Sequence, residues 1–257
     1  MNTPLPPPPD ELLLVDASPR ATWRWWEAVV VTLLGFVLGA MVSVPVFEAL
    51  GGPSGVRMNG PAAAAASVAY IVLVAVLLAW LRIAHKGWRR TIGWPERGAR
   101  LREAGIGVGW GLASQVWVTF LVALVASALA SFSGRDVEVP PQVDSSLTGW
   151  AAVALIVYAV IIAPPTEELV FRGLLFHAVA DHHGFWPGVF ASAVPFGLIH
   201  VISGGALGVS ALVFTMMVTG GFWAWIHRRH GNLLVNIATH AAFNAVGVIV
   251  TLQPWGH

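Results

Sequence analysis

The sequence predicts an all-α protein, a polytopic transmembrane bundle of about seven to eight helices. Hydrophobic residues make up 56% of the 257 residues, charged residues only 11%, and the mean hydropathy is +0.72. Soluble domains have roughly 45–50% apolar and about 25% charged residues, so we interpret this chain as an integral membrane protein. A series of long apolar runs and a one-sided distribution of Lys and Arg support the same fold class.

Seven apolar runs reach or approach the roughly 17–25 residues that a helix needs to cross a bilayer. They cover residues 28–47, 63–81, 106–132, 150–179, 185–202, 207–226 and 233–252. An eighth span would arise if the third or fourth run divided, with Pro164-Pro165 as the candidate break in the fourth. Since the first run has no obvious cleavage site, we expect a retained helix rather than a removed signal peptide.

Three regions follow from this pattern. Residues 1–25 are Pro-rich and are predicted to form a flexible cytoplasmic tail. Residues 26–140 are predicted to be scaffold helices, because their apolar cores carry no acid or base. Residues 141–257 hold the unusual ionisable side chains and are predicted to form the functional core.

The basic residues predict the orientation in the membrane. All 14 Lys and Arg residues except Arg57, Arg135 and Arg172 lie before the first run, between the second and third, or after the sixth. The positive-inside rule then places the N-terminus in the cytoplasm and, with seven spans, the C-terminus outside. The short loops favour a bacterial cell membrane. The chain has no Cys, which excludes disulfides, thiolate ligands and a cysteine nucleophile.

Two adjacent carboxylates and an arginine interrupt the fourth run. Glu167, Glu168 and Arg172 lie in hydrocarbon-like surroundings, whereas the other acidic residues lie in loops, tails or segment ends. An ionisable group at membrane depth costs roughly 2.5–3.5 kcal/mol on insertion scales, so it is rare unless it pairs, lines a wet cavity or does chemistry. This segment is therefore the first candidate for a functional site.

Polar residues in two further runs extend the candidate site. His200 lies near the end of the fifth run, and the seventh run carries Asn236, His240 and Asn244 at intervals of four, which stacks them on one helical face. From the helical rise of 1.5 Å per residue, we expect Glu167, His200 and His240 to lie in one layer. Facing helices build bundle-core sites in this way.

Structural roles are the alternative for each residue. Glu168 and Arg172 are four apart and suit a buried salt bridge, and Glu167 then remains unpaired. A single intramembrane His is often a hydrogen-bonded core residue, and Asn236 and Asn244 could each link helices by hydrogen bonds. The coincidence of two Glu, two His and an Asn at similar depth favours a functional site.

These residues resemble the three motifs of the CAAX-protease and bacteriocin-processing family of intramembrane proteases, also called the abortive-infection or type II CAAX endopeptidase family. The motifs are Glu-Glu-x-x-x-Arg, Phe-x-x-x-His and His-x-x-x-Asn, and their order and spacing match over residues 150–252. They stand here as Glu167-Glu168 with Arg172, Phe196 with His200, and His240 with Asn244.

The resemblance implies an intramembrane endopeptidase with Glu167, Glu168, His200, His240 and Asn244 as catalytic residues. Glu167 would act as the base, His200 would help to orient and deprotonate the water, and His240 and Asn244 would donate to the oxyanion. Glu168 would hold Arg172. Phe196, Arg172 and Asn236 would support the site.

A metal-dependent reaction is also compatible with these residues. Glu167, His200 and His240 form a reasonable Zn²⁺ set with an open position for water, so the sequence leaves the cofactor open.

The expected partners are the lipid bilayer and a membrane-bound peptide or protein substrate, which would be lipidated if the family analogy extends that far. We expect no nucleic-acid partner. Two other functions stay open: a proton- or ion-coupled transporter, because buried Glu and His also make proton relays, and a non-catalytic membrane immunity scaffold.

Overall fold

The structure, a computed structural model, describes residues 20–52, 58–94, 98–201 and 204–252. Eight helices succeed one another along this part of the chain. They are α1 (Trp25–Ala49), α2 (Gly60–Ala84), α3 (Trp88–Thr91), α4 (Arg100–Ser133), α5 (Gly149–His183), α6 (Phe185–Leu198), α7 (Ala206–His230) and α8 (Leu233–Thr251).

The predicted fold class is confirmed. Six of these helices, namely α1, α2, α4, α5, α7 and α8, are long and apolar enough to cross a membrane. Many large apolar side chains of α1 and α4 are exposed at the bundle surface. In a membrane, this exposed apolar surface would face lipid, so it needs no protein partner.

The fifth predicted span is shorter than expected. Residues 185–202 were predicted to cross the membrane, but α6 has 14 residues, about 21 Å at 1.5 Å per residue, against a hydrocarbon core of about 30 Å. The chain then turns tightly, because the His200 N–H donates to the Gly197 carbonyl 3.1 Å away. Irregular backbone at membrane depth is tolerated where protein or a cavity surrounds it. The early end of α6 therefore leaves His200 on a turn.

The possible eighth span is not formed, because α5 continues through Pro164-Pro165. Its α-helical stretch Ala163–Glu168 lies between two π-helical stretches, Val157–Ile162 and Leu169–Phe176. The Ala163 N–H reaches back five residues to the Tyr158 carbonyl, and the wider turn accommodates two residues that have no N–H to donate. Helix α4 is likewise continuous. Proline here widens the helix instead of ending it.

Glycines bring α4 against α8, the helix that carries His240. A Cβ on Gly111 would meet the Thr239 carbonyl oxygen and, at 2.7 Å, the Ala242 methyl, and Gly107 has equivalent contacts one turn earlier. Small residues four apart allow two membrane helices to approach closely. This contact fixes the position of Thr239, the residue before His240.

The last residues of the predicted tail, which spans residues 1–25, are anchored to α5. Residues 1–19 lie outside the described residues, but Ala21 and Trp23 are buried. The Ala21 N–H donates to Asp181 at 2.8 Å, and the Trp23 indole N–H donates to the Leu174 carbonyl at 3.1 Å. The segment that leads into α1 is therefore part of the packed structure.

We predict that Gly111→Ala destabilises the protein by about 1–3 kcal/mol, because the new methyl would meet backbone on α8 that cannot move independently. Gly109→Ala is the matched control: it lies on the same helix, and nothing lies within 4 Å of its added Cβ. Alanine there should be neutral or stabilise by up to about 1 kcal/mol. Thermal unfolding of both variants in detergent measures the difference, and equal melting temperatures would contradict the proposed α4–α8 contact.

Candidate active site

Glu167 and Glu168 contact different neighbours although they are adjacent in α5. Both are buried, with 8% and 0% of their surface exposed. Glu167 contacts Tyr70 of α2, and Glu168 contacts Arg172 of α5 and His240 of α8. The α-helical stretch between the two π-helical stretches thus separates the two carboxylates by about one hundred degrees of helical rotation.

Glu168 and Arg172 form the buried salt bridge that the sequence allowed. Arg172 Nη1 lies 3.0 Å from Glu168 Oε1, and Nη2 donates to the Gly220 carbonyl of α7 at 3.0 Å. The guanidinium carbon lies 4.5 Å from the centre of the Phe196 ring and 5.5 Å from that of Trp223. Arg172 is therefore held by an anion, a carbonyl and two aromatic rings.

His240 bridges the two glutamates. Its Nδ1 lies 2.9 Å from Glu168 Oε1, and its Nε2 lies 3.8 Å from Glu167 Oε2. A carboxylate only accepts hydrogen bonds, so Nδ1 carries the proton and Nε2 faces Glu167. The Trp223 ring packs against the imidazole with centroids 4.7 Å apart. The ring orientation of His240 is thus determined by Glu168 and Trp223.

His200 is oriented by the motif residue Phe196. Its Nδ1 lies 2.7 Å from the Phe196 carbonyl oxygen, which only accepts, so Nδ1 carries the proton and Nε2 is an acceptor in the neutral ring. The Phe196 ring lies 5.1 Å from His200 and 5.9 Å from His240, centroid to centroid. Phe196 therefore packs against both imidazoles and against Arg172.

Asn244 and Asn236 have different surroundings. Asn244 Nδ2 donates to the Ala159 carbonyl of α5 at 2.8 Å. Asn236 lies fully buried away from the glutamates, donates to the Trp223 carbonyl and contacts His227. Asn236 thus links helices, as its structural alternative predicts, and Asn244 joins α8 to α5 near the site.

A second polar cluster lies outside this site. His177 contacts Asp181 at 3.2 Å and His227 at 3.1 Å, and His227 contacts Asn236. This cluster links α5 to α7 and α8.

The structure thus gathers Glu167, Glu168, Arg172 and His240 in direct contact, with Phe196 and His200 beside them. Within the described part of the chain, no group of three or more His, Asp or Glu side chains is arranged to hold a metal ion. The imidazoles of His200 and His240 both use Nδ1 in a hydrogen bond, which leaves Nε2 on each ring.

Sequence reasoning missed Tyr70 and Tyr158. The Tyr70 hydroxyl donates to Glu167 Oε1 at 3.0 Å, and the two tyrosine rings pack with centroids 5.5 Å apart. The available signal was rarity: the chain has only 2 Tyr, and both lie inside apolar runs. Tyr70 comes from a helix that was predicted to be scaffold only.

An apolar cleft of about 390 Å³ lies beside the glutamates, between α2, α3, α5 and α8. Its walls include Val74, Thr166 and Leu169, so it reaches the residues on either side of Glu167-Glu168. Arg82 and Arg89 line its other end. A volume of this size lies within the range of small-ligand sites.

Comparison with known proteins supports a membrane protease. Residues 149–246 match the family model described as type II CAAX prenyl endopeptidase Rce1-like. The chain is also 24% identical over 242 residues, 90% of each protein, to a Bacillus subtilis protein named "Putative membrane peptidase YdiL". No solved structure matches significantly. Both matches support the resemblance to the CAAX-protease and bacteriocin-processing family, and the matched segment carries all three motifs.

We predict that Glu168→Gln destabilises the protein by about 3–5 kcal/mol, because it leaves the buried Arg172 guanidinium without its anion. Glu167→Gln is the matched control, since the new amide oxygen can still accept the Tyr70 hydrogen bond and the ion pair of Glu168 with Arg172 stays intact. Thermal unfolding in detergent should separate the two variants. Similar melting temperatures would show that the two glutamates do not differ in structural importance.

Proposed function

We propose that this protein is an intramembrane endopeptidase that hydrolyses a peptide bond of a membrane-associated or lipidated substrate with a water activated by Glu167 and His200. The family resemblance supports a membrane protease in general. The observation that carries the catalytic assignment is the unequal pairing of the glutamates. Glu168 is bound to Arg172 and His240, whereas Glu167 has one oxygen on Tyr70 and the other 3.8 Å from His240 Nε2.

The first step is deprotonation of a water held by Glu167 Oε2 and His200 Nε2. Glu167 takes the proton, and the hydroxide attacks the carbonyl carbon of the scissile peptide. The carbonyl π electrons move to the oxygen, which becomes an oxyanion. Glu167 then passes the proton to the leaving nitrogen as the C–N bond breaks, so that the base is regenerated.

His240 stabilises the oxyanion in this scheme. Because Nδ1–H is directed at Glu168, a donor at Nε2 requires the imidazolium form. In that form the charges of the two carboxylates, the guanidinium and the imidazolium sum to zero. Asn244 has a second N–H besides the one on Ala159 and supplies the other donor.

The apolar cleft accounts for substrate entry. We propose that an apolar substrate segment lies against α2 and α5 there, and that the scissile bond reaches Glu167 beyond Thr166. A peptide signal, a bacteriocin precursor or a membrane protein meets these requirements, and a prenylated peptide is suggested by the family name. The cleft end with Arg82 and Arg89 would face the cytoplasm of a bacterial cell, with the N-terminus on that side.

We predict that Glu167→Gln abolishes cleavage of a verified substrate while expression, membrane insertion and thermal unfolding stay near wild type, because the change keeps volume and removes the base. Substrates are found by mass-spectrometric comparison of membrane peptides from cells with the wild type and the variant. Near-normal turnover by Glu167→Gln would refute the assignment.

We predict that the purified protein keeps its activity after treatment with a strong chelator. If the activity is lost on this treatment and returns when Zn²⁺ is added, Glu167 and His200 do not activate the water on their own.

We predict that Val74→Trp lowers kcat/KM by at least about 10-fold through KM, because the indole fills the cleft. Ala75→Trp is the control, since Ala75 is exposed on the same helix and does not line the cleft. Both variants should unfold at the wild-type temperature. Equal kcat/KM values for the two would show that the substrate does not use this cleft.

A further inference from the structure

We propose that Tyr70 is a positioning residue for Glu167: its hydroxyl fixes Oε1, so that Oε2 is the oxygen that receives the proton of the water. This inference rests on the proposed function. It adds a residue from outside the segment 149–246 that matches the family. The helix that carries Tyr70 was predicted to be scaffold, so the site would be incomplete without it.

Tyr70 is the direct hydrogen-bond donor to Glu167 within the described part of the chain. Its hydroxyl lies 3.0 Å from Oε1, whereas His240 Nε2 lies 3.8 Å from Oε2, beyond hydrogen-bond distance. One oxygen is therefore held and the other is left for the substrate water. A base that could rotate freely would present either oxygen in varying directions.

The ring of Tyr70 is held on two sides. Phe36 of α1 packs at a centroid distance of 6.2 Å and an angle of 73°, and Tyr158 of α5 packs at 5.5 Å and 59°. A hydroxyl on a ring held in this way has a defined direction. Precise placement of a catalytic group depends on such packing by its neighbours.

The backbone under Tyr70 is held as well. Gly39 of α1 lies so close to α2 that an added Cβ would be 2.7 Å from the Ala69 carbonyl oxygen. Leu73, one turn further on, is fully buried against Gly35. Helix α2 therefore cannot slide past α1 without a steric clash, and the position of Tyr70 is set by the α1–α2 contact.

The two glutamates differ in the chemical group that donates a hydrogen bond to each of them. Glu168 is paired with a guanidinium, so its carboxylate is already bound to a buried cation. A phenol is neutral, so it orients Glu167 without supplying a compensating charge. Glu167 can therefore be fixed in place and still accept a proton, which a general base requires.

Several other ionisable groups surround Glu167. They are Glu168, Arg172 and Tyr158 on α5, His240 on α8 and His200 after α6. Substitution of Tyr70 leaves all of them in place, so a change in the infrared bands of Glu167 can be assigned to the lost hydroxyl.

The first experiment compares Tyr70→Phe with Tyr158→Phe on a verified substrate. Tyr70→Phe should lower kcat by about 10- to 100-fold, the value of a hydrogen bond to a charged group, with KM and thermal unfolding near wild type. Tyr158→Phe removes the hydroxyl that interacts with that of Tyr70 but keeps the donor to Oε1, and it should lower kcat about two- to fivefold at most. Equal kcat for Tyr70→Phe and wild type overturns the proposal.

The second experiment does not depend on activity. The infrared bands of the Glu167 carboxyl group are identified by their loss in Glu167→Gln. Their frequency depends on the hydrogen bonds that the two oxygens accept, so Tyr70→Phe should shift these bands. Fluorotyrosine incorporated into Tyr158→Phe labels Tyr70 alone, and as a stronger donor it should shift the bands in the opposite direction from their position in unlabelled Tyr158→Phe.

These readouts separate the two proposals. Opposite shifts in the two proteins support the role of Tyr70, whether or not a substrate is cleaved. Unchanged band positions in both overturn it, even if Tyr70→Phe is inactive, because the loss of activity would then come from packing. Absence of cleavage by the wild type would refute the peptidase assignment and leave the infrared comparison valid.

Discussion

The buried salt bridge between Glu168 and Arg172 is the interaction on which the other features of the site depend. Both side chains have no exposed surface, and removal of either would leave a charge in the bundle interior at a cost of about 3–5 kcal/mol. Glu168 also orients His240, and Arg172 reaches the α7 backbone at Gly220 and the ring of Phe196. One ion pair therefore fixes the histidine, the aromatic cover and the distance between α5 and α7.

Close helix packing brings the remaining groups to this pair. Gly107 and Gly111 bring α4 against α8, and Gly39 brings α1 against α2. Membrane helices gain little from apolar contact, because lipid is as apolar as their side chains. Small residues and buried hydrogen bonds must then supply the specificity, which explains why the contacts that place His240 and Tyr70 involve glycine.

The sequence predicted the fold class and the layer of site residues because both follow from local patterns. Apolar run length predicts spans, and four-residue spacing predicts that His240 and Asn244 share a face. The length of α6 was not predictable in this way, since residues 185–202 are apolar throughout while their helix ends at Leu198.

Contacts between helices that lie far apart along the chain could also not be predicted from the sequence. Tyr70 lies 97 positions from Glu167, and no periodicity relates α2 to α5. The pairing of Glu168 with His240 across 72 positions is equally non-local. The salt bridge to Arg172, by contrast, lies within one helical turn and was therefore accessible to sequence reasoning.

Asn244 shows how one side chain can serve both the fold and the proposed chemistry. The Ala163 N–H is bonded to the Tyr158 carbonyl, and Pro164 has no N–H, so the usual helical donors to the Ala159 carbonyl are lacking. Asn244 donates to that carbonyl at 2.8 Å, which satisfies a backbone acceptor that would be costly to leave unpaired in a membrane. An amide has two N–H groups, and the first bond fixes the direction of the second. The wide turn before Glu167 thus requires a donor from α8, and the donor that meets this requirement has a second N–H for an oxyanion.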